Sequence, residues 1–241
     1  MRSAILAVVV AGLLSTLPAP AKDKDKEEKG SGDAAVLATV NGEPITKDEW
    51  SVIMKADQWY AQSLRTKPGY QEKMQGKPNE DFFFTEEVVK IRAMAQRYKD
   101  ALPQMKSAID AVNEKVKAGE DFAALAKQYS QDGSAASGGD LGALKEFHEL
   151  TFPFNRIAMG LKQGETSEPF LTIFGYHIVK VERIQPPADN KGKKVQVRHI
   201  LIRFPSSNAK NEADSLASQV KVEVLDKAFC KKIPSYCRAE G

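Results

Sequence analysis

Three side chains in this sequence stand where they could do chemistry. Asp132 sits among small residues in SQDGSAASGG, His177 lies inside the apolar run GYHIVKV, and His199 lies inside VRHILIRF. A carboxylate in such a loop either caps its own turn, the common use of Asp, or faces an incoming group. A histidine in an apolar strand must satisfy two ring nitrogens, and His199 or the Thr172 hydroxyl are candidate partners for His177. Ser167 precedes Pro169 as a turn residue, and no third acid in the pattern orients a Ser–His nucleophile. His148, between Phe147 and Glu149, is expected at the surface.

Sulfur chemistry is confined to Cys230 and Cys237. A continuous helix would hold their Cα atoms roughly 10 Å apart, beyond disulfide reach. Pro234 stands between them and breaks such a helix, so a small bridged loop and two free thiols both remain open. With no further sulfur or histidine nearby, no metal site is expected.

The elements that must position these groups emerge from periodicity. VLATV reads as a short strand and Asn41-Gly42 as a turn, with Thr46 capping a helix that runs to about residue 64. The polar stretch after it is a loop, and a second helix is expected to start at Thr85 as its cap. Apolar residues then recur at three- and four-residue steps to residue 102, and Pro103 opens a helix ending at Gly119. From residue 120 the pattern shortens. DFAALAKQYS is a short helix, DLGALKEF a strand, PFNRIAMGL a short helix, and PFLTIFGYHIVKVERI a strand pair turning at Phe174-Gly175. VQVRHILIRF is the clearest strand, and NEADSLASQVKVEVLDKAF reads as helix.

Composition limits function. The chain has 241 residues and a formal charge of +3, too small to argue for nucleic acid. Residues 1–21 combine a basic residue, an apolar stretch and Ala19-Pro20-Ala21, the pattern of a cleaved export signal. The apolar run is too short for a permanent span, so no stable membrane anchor is expected and the protein should be periplasmic or extracellular. Residues 22–33 are a flexible charged spacer.

The order GEDFAALAKQYSQDGSAASGGDLGAL, PF with an apolar helix, then GETSEPFLTIFGYHIVKV resembles the parvulin family of peptidyl-prolyl cis-trans isomerases. The likeness covers residues 119–184, and VNGEPITKDEW is similar to the opening of exported parvulin chaperones of the SurA and PrsA type. The resemblance implies an α+β fold, with a four-stranded antiparallel sheet wrapped by short helices. Around it come a helical N-terminal region (34–118), a linker (185–194) and a C-terminal strand and helix (195–241). It implies isomerisation of X-Pro bonds in unfolded exported polypeptides, without a cofactor. It makes Asp132, His177 and His199 the catalytic candidates, and Leu150, Phe154 and Met159 the wall that holds the proline ring.

The sequence departs from the family in one place. The histidine of the family's first strand should fall near VVKIRAMAQRY, where Ala93 stands and the periodicity is helical. The first-strand pattern occurs instead at His199, after the domain. Residues 195–204 then either fold back to complete the sheet or begin a truncated second repeat. The displaced histidine also motivates a rival reading, an inactive holdase that binds unfolded chains.

Overall fold

The computed structural model describes residues 35–65, 79–188 and 192–237. The expected export signal, the charged spacer and most of the polar loop after residue 65 lie outside the described residues.

Strands β1 (Val36–Val40) and β2 (Glu43–Thr46) form an antiparallel hairpin. Its turn puts Asn41 and Gly42 at φ 51° and 84°, the left-handed pair that an Asn-Gly turn supplies cheaply. The Thr46 hydroxyl accepts from Glu49 N at 3.2 Å and caps helix α1 (Lys47–Met54). The single helix expected to residue 64 breaks at Lys55–Ala56, and α2 (Asp57–Arg65) comes next and buries Tyr60. Thr85 is not a cap. It lies within a continuous helical stretch made of α3 (Asn79–Phe83), a π-helical turn (Phe84–Val89) and α4 (Lys90–Arg97). There its hydroxyl donates to Asp81 O at 2.9 Å, so the turn continues instead of starting. Helix α5 (Leu102–Lys117) has Pro103 in its first turn, and Gly119 at φ 86° stands just past its end.

Helix α6 (Phe122–Tyr129) is capped by Asp121, and α7 (Phe154–Gly160) comes after the small-residue loop. Strands β3 (Phe170–Thr172) and β4 (Gly175–Gln185) form the expected hairpin. Strand β5 (Lys194–Arg203) returns antiparallel along the whole of β4, from Gly175↔Arg203 to Gln185↔Lys194, giving the order β3-β4-β5. Among the described residues the sheet therefore has three strands, where four were expected. On the outer edge of β5, Leu141 N donates to Val197 O at 3.1 Å, while Lys145 and Val195 exchange bonds of 2.7 and 3.0 Å. Gly139 and Gly142, at φ 74° and 81°, interrupt the extended backbone there, so DLGALKEF lies along the sheet without becoming a regular strand.

The C-terminal segment also differs from expectation. Its helix, α8 (Ala209–Ala217), stops early, and β6 (Val222–Val224) pairs with β1 in a second sheet ordered β2-β1-β6. Alternating β-branched residues in VEV explain the strand, which a helical reading of the whole stretch overlooks. Helix α9 (Lys227–Cys230) ends in a loop closed by a Cys230–Cys237 disulfide.

Alternation along β4 and β5 divides the core between the faces of their sheet. Tyr176, Ile178, Ile200 and Ile202 face α5 and α6. Val179, Val181, Val195 and Val197 face α7 and the aromatic residues of α1 to α3 and the π turn. This second face carries both histidines.

Candidate active site

Strand register brings the histidines together. His177 pairs across from Leu201 and Val179 from His199, so the two imidazoles are diagonal neighbours on one face. Their Nδ1 atoms lie 3.2 Å apart, with the rings 5.4 Å between centroids and nearly parallel at 22°. His199 Nε2 reaches Asp132 Oδ1 at 2.9 Å and Ser134 Oγ at 3.1 Å. At the other end, His177 Nε2 is 3.0 Å from Thr172 Oγ1, which accepts from Phe174 N at 2.9 Å.

The polarity of this chain is dictated by what each group can do. An ionised Asp132 only accepts, so His199 donates from Nε2 and must accept at Nδ1 when neutral. His177 then donates from Nδ1 and accepts at Nε2, where the Thr172 hydroxyl donates. Every ring nitrogen is satisfied with both histidines uncharged. Burial, and after it the neighbouring His199, push the pKa of His177 well down, with Asp132 acting weakly the other way. Asp132 is held well below the ordinary carboxylate range, chiefly by the bond from His199 and further by the Ser134 hydroxyl and amide, against the effect of burial. Its side chain is 31% exposed and that of His199 6%, so the buried chain reaches solvent through the carboxylate.

Aromatic rings enclose the imidazoles. Phe154 meets His177 and His199 edge-on at 5.5 and 5.6 Å, and Phe170 stacks on His177 at 5.6 Å and 16°. Of the residues expected to line a proline pocket, Phe154 is 3% and Met159 1% exposed, while Leu150 is half-buried against the same core. Phe154 thus touches the histidines, but neither it nor Met159 presents an open face. His148, expected at the surface, has a side chain only 11% exposed, its Nδ1 3.6 Å from Glu146. Ser167, expected as a turn residue, instead lies buried alongside β4, where its N donates to Val179 O at 2.8 Å and its Oγ accepts from Val179 N at 3.0 Å.

Sequence reasoning misses two contributors. Ser134 reads only as a small neighbour, although it bonds both Asp132 and His199. Gly139 reads only as another of the small residues around Asp132. Its carbonyl pairs with β5, accepting from His199 N at 2.9 Å, while its amide donates to Ser134 O at 2.9 Å. A Cβ on Gly139 would stand 2.1 Å from His199 O, so the doubled glycine of GGDLG is the signal that marks this approach.

The described residues thus join an acid through paired histidines to a strand hydroxyl on one face of an antiparallel sheet. Residues 89–183 match the family model of the PPIC-type PPIase domain (Rotamase), and the chain carries a domain of that family. The match stops before β5, so His199 lies outside it.

Among individual relatives, the chain is 35% identical over 123 residues to the foldase protein PrsA of Bacillus subtilis, covering 51% of this chain and 42% of that one. It is 34% identical over 126 residues to the chaperone SurA of Methylococcus capsulatus, covering 51% and 28%. A PrsA of Caldanaerobacter subterraneus is 30% identical over 203 residues, covering 83% and 61%. The chain thus spans less than half the length of the first two. A crystal structure of PrsA from Bacillus subtilis aligns at 20% identity over 87% of this chain and 95% of that one, with a TM-score of 0.26. A score that low supports no argument about the overall arrangement. No helix among the described residues is long and apolar enough to cross a membrane.

Proposed function

We propose that this protein isomerises X-Pro peptide bonds in unfolded exported polypeptides, with Asp132, His199 and His177 as its reactive network. The observation that carries the reading is the continuous chain from Asp132 through both histidines to Thr172, completed by a strand from beyond the matched domain. Rotation about a peptide bond faces a barrier of about 18–20 kcal/mol, set by C–N double-bond character. The polar resonance form is favoured by water. A surface that withdraws water from the imide and places a fixed carboxylate beside it lowers that barrier without covalent chemistry or a cofactor. In this reading Asp132 sets the field at the twisting carbonyl. The histidines fix its position and charge. Leu150 and Phe154 hold the proline ring, with Met159 behind them. The leader pattern of residues 1–21 and the Cys230–Cys237 bridge fit an oxidising, exported setting.

Burial of Phe154 and Met159 favours a second reading, in which the domain binds extended chains without turning them over. The described surface has two exposed large apolar side chains, Val36 and Leu225, which is a poor start for a broad holding surface. A proline-limited refolding assay separates the readings. The isomerase accelerates the slow phase catalytically, and Asp132→Ala removes most of that acceleration. Suppressed aggregation with no acceleration would leave only the binder.

A further inference from the structure

Helix α7 carries Phe154 against both histidines, yet it is only seven residues long and is entered through a loop with little regular structure. Residues 154 to 159 are all buried, including Asn155 and Arg156, so the helix is enclosed on both sides. One side is the histidine face of the sheet. The other is the N-terminal region: Phe82 and Phe83 stand edge-on to Phe152 at 5.5 and 5.6 Å, and Tyr60 to Phe147 at 6.3 Å. Within this aromatic seam, Arg156 Nε donates to Glu87 Oε2 at 2.9 Å. The Glu87 side chain is 1% exposed. Greasy rings can slide over one another, whereas a guanidinium hydrogen-bonded to a fixed carboxyl group sets distance and direction together. Glu87 is itself anchored, because its helix is tied to the disulfide loop by Ser235 N donating to Asp81 at 3.0 Å and by the Thr85–Tyr236 hydroxyl pair at 2.7 Å.

We propose that Glu87 and Arg156 are positioning residues for the prolyl site: the N-terminal region acts through this buried pair to set α7, and so Phe154, against His177 and His199. The inference rests on the isomerase reading for its kinetic test but not for its structural one. Glu87 lies in the π-helical turn, and Arg156 two residues from Phe154, so the pair joins the N-terminal region directly to the ring that touches both imidazoles.

The test uses the whole protein and two measurements: turnover of a proline peptide, and the imidazole NMR signals of His177 and His199, which sense the ring current of Phe154. Glu87→Leu is expected to lower kcat about tenfold while changing KM less than about threefold, as a misplaced wall should. It should also move both imidazole signals. Glu87→Gln keeps an acceptor for Arg156 Nε and should recover most of the rate. The pair Glu87→Leu with Arg156→Met removes the buried charges together and should fold as stably as the parent, yet remain slow with displaced imidazole signals. Glu49→Gln, at the separate Arg92–Glu49 pair of the N-terminal region, should leave kcat and the imidazole signals unchanged. Parent-like kcat and imidazole signals in the double variant would overturn the inference, as would an equal kcat loss in Glu49→Gln. A parent without turnover, whose imidazole signals still move in Glu87→Leu, would sink the isomerase reading and leave the positioning role standing.

Discussion

Gly139 offers a graded test of how the small-residue loop supports the site. A methyl group there would lie 2.1 Å from His199 O and 3.1 Å from Ala126 Cβ, at a φ of 74°. The left-handed conformation alone costs an alanine about 1–2 kcal/mol. Relieving the contact demands roughly 1 Å of separation from β5, since real Cβ atoms stay beyond 3.0 Å. That movement would break the backbone bond from His199 N, worth about 1 kcal/mol more. Gly139→Ala is therefore expected to lose about 2–3 kcal/mol in urea unfolding. Because the same displacement moves His199 away from Asp132, turnover should fall by about a hundredfold in protein that is still folded. Two neighbours serve as steps on the scale. At Gly142 the φ is 81° but the space is open, so Ala costs only the conformational term of about 1–2 kcal/mol. At Gly133 neither strain nor a neighbour within 4 Å exists, so Ala should be neutral to within about 0.5 kcal/mol. Equal stabilities across the three variants, or a fully active Gly139→Ala, would refute the argument that close approach to β5 dictates this loop.

Acid and base should act on different groups. Burial raises the Glu87 carboxyl to about 7 against the pull of Arg156, so between pH 4.5 and about 7 the folded chain holds a proton that the unfolded chain has lost. Stability should thus decline as pH rises through that window, by up to about 3 kcal/mol, and urea midpoints at pH 5 and 8 should converge in the Glu87→Leu, Arg156→Met protein. Asp132 has the opposite sign. Its depressed pKa contributes stability above 3.8 that disappears as pH falls toward the folded value, so Asp132→Asn should flatten the acid limb. Opening the Cys230–Cys237 bridge, which closes a loop of seven-residue separation, should cost about 2–3 kcal/mol by loop entropy. Paired unfolding curves with and without reductant, and the Cys230→Ser, Cys237→Ser protein, measure it.

Much of the local structure is legible because local chemistry determines it. Asn41-Gly42 requires a left-handed turn, Thr46 can cap only the helix on its C-terminal side, and the alternation of GYHIVKV buries one face against each core. The elements that escape are set by distant partners. Thr85 has the residue type of a cap, yet a helix already begun at Asn79 passes through it, and Tyr236 meets its hydroxyl from the far end of the chain. VEV is too short to outweigh the helical stretch before it, and only β1 makes it a strand. Arg156 lies in a short helix whose own sequence does not reveal that its guanidinium is buried against Glu87, 69 residues earlier.

His199 illustrates the same division at the site itself. The HILI pattern of β5 specifies what its two faces bury, and neighbours on both edges specify where it lies: β4 on one side, residues 139–145 on the other. Neither requirement depends on whether the strand comes before or after them in the chain. A strand with apolar residues on both faces cannot remain at an edge without exposing an unpaired, sticky ladder. The sheet between β4 and the glycine-rich segment is the slot that removes this hazard, and filling it carries His199 to within 2.9 Å of Asp132. The histidine thus reaches the face of His177 and Asp132 because strand pairing, and not order along the chain, decides where β5 lies.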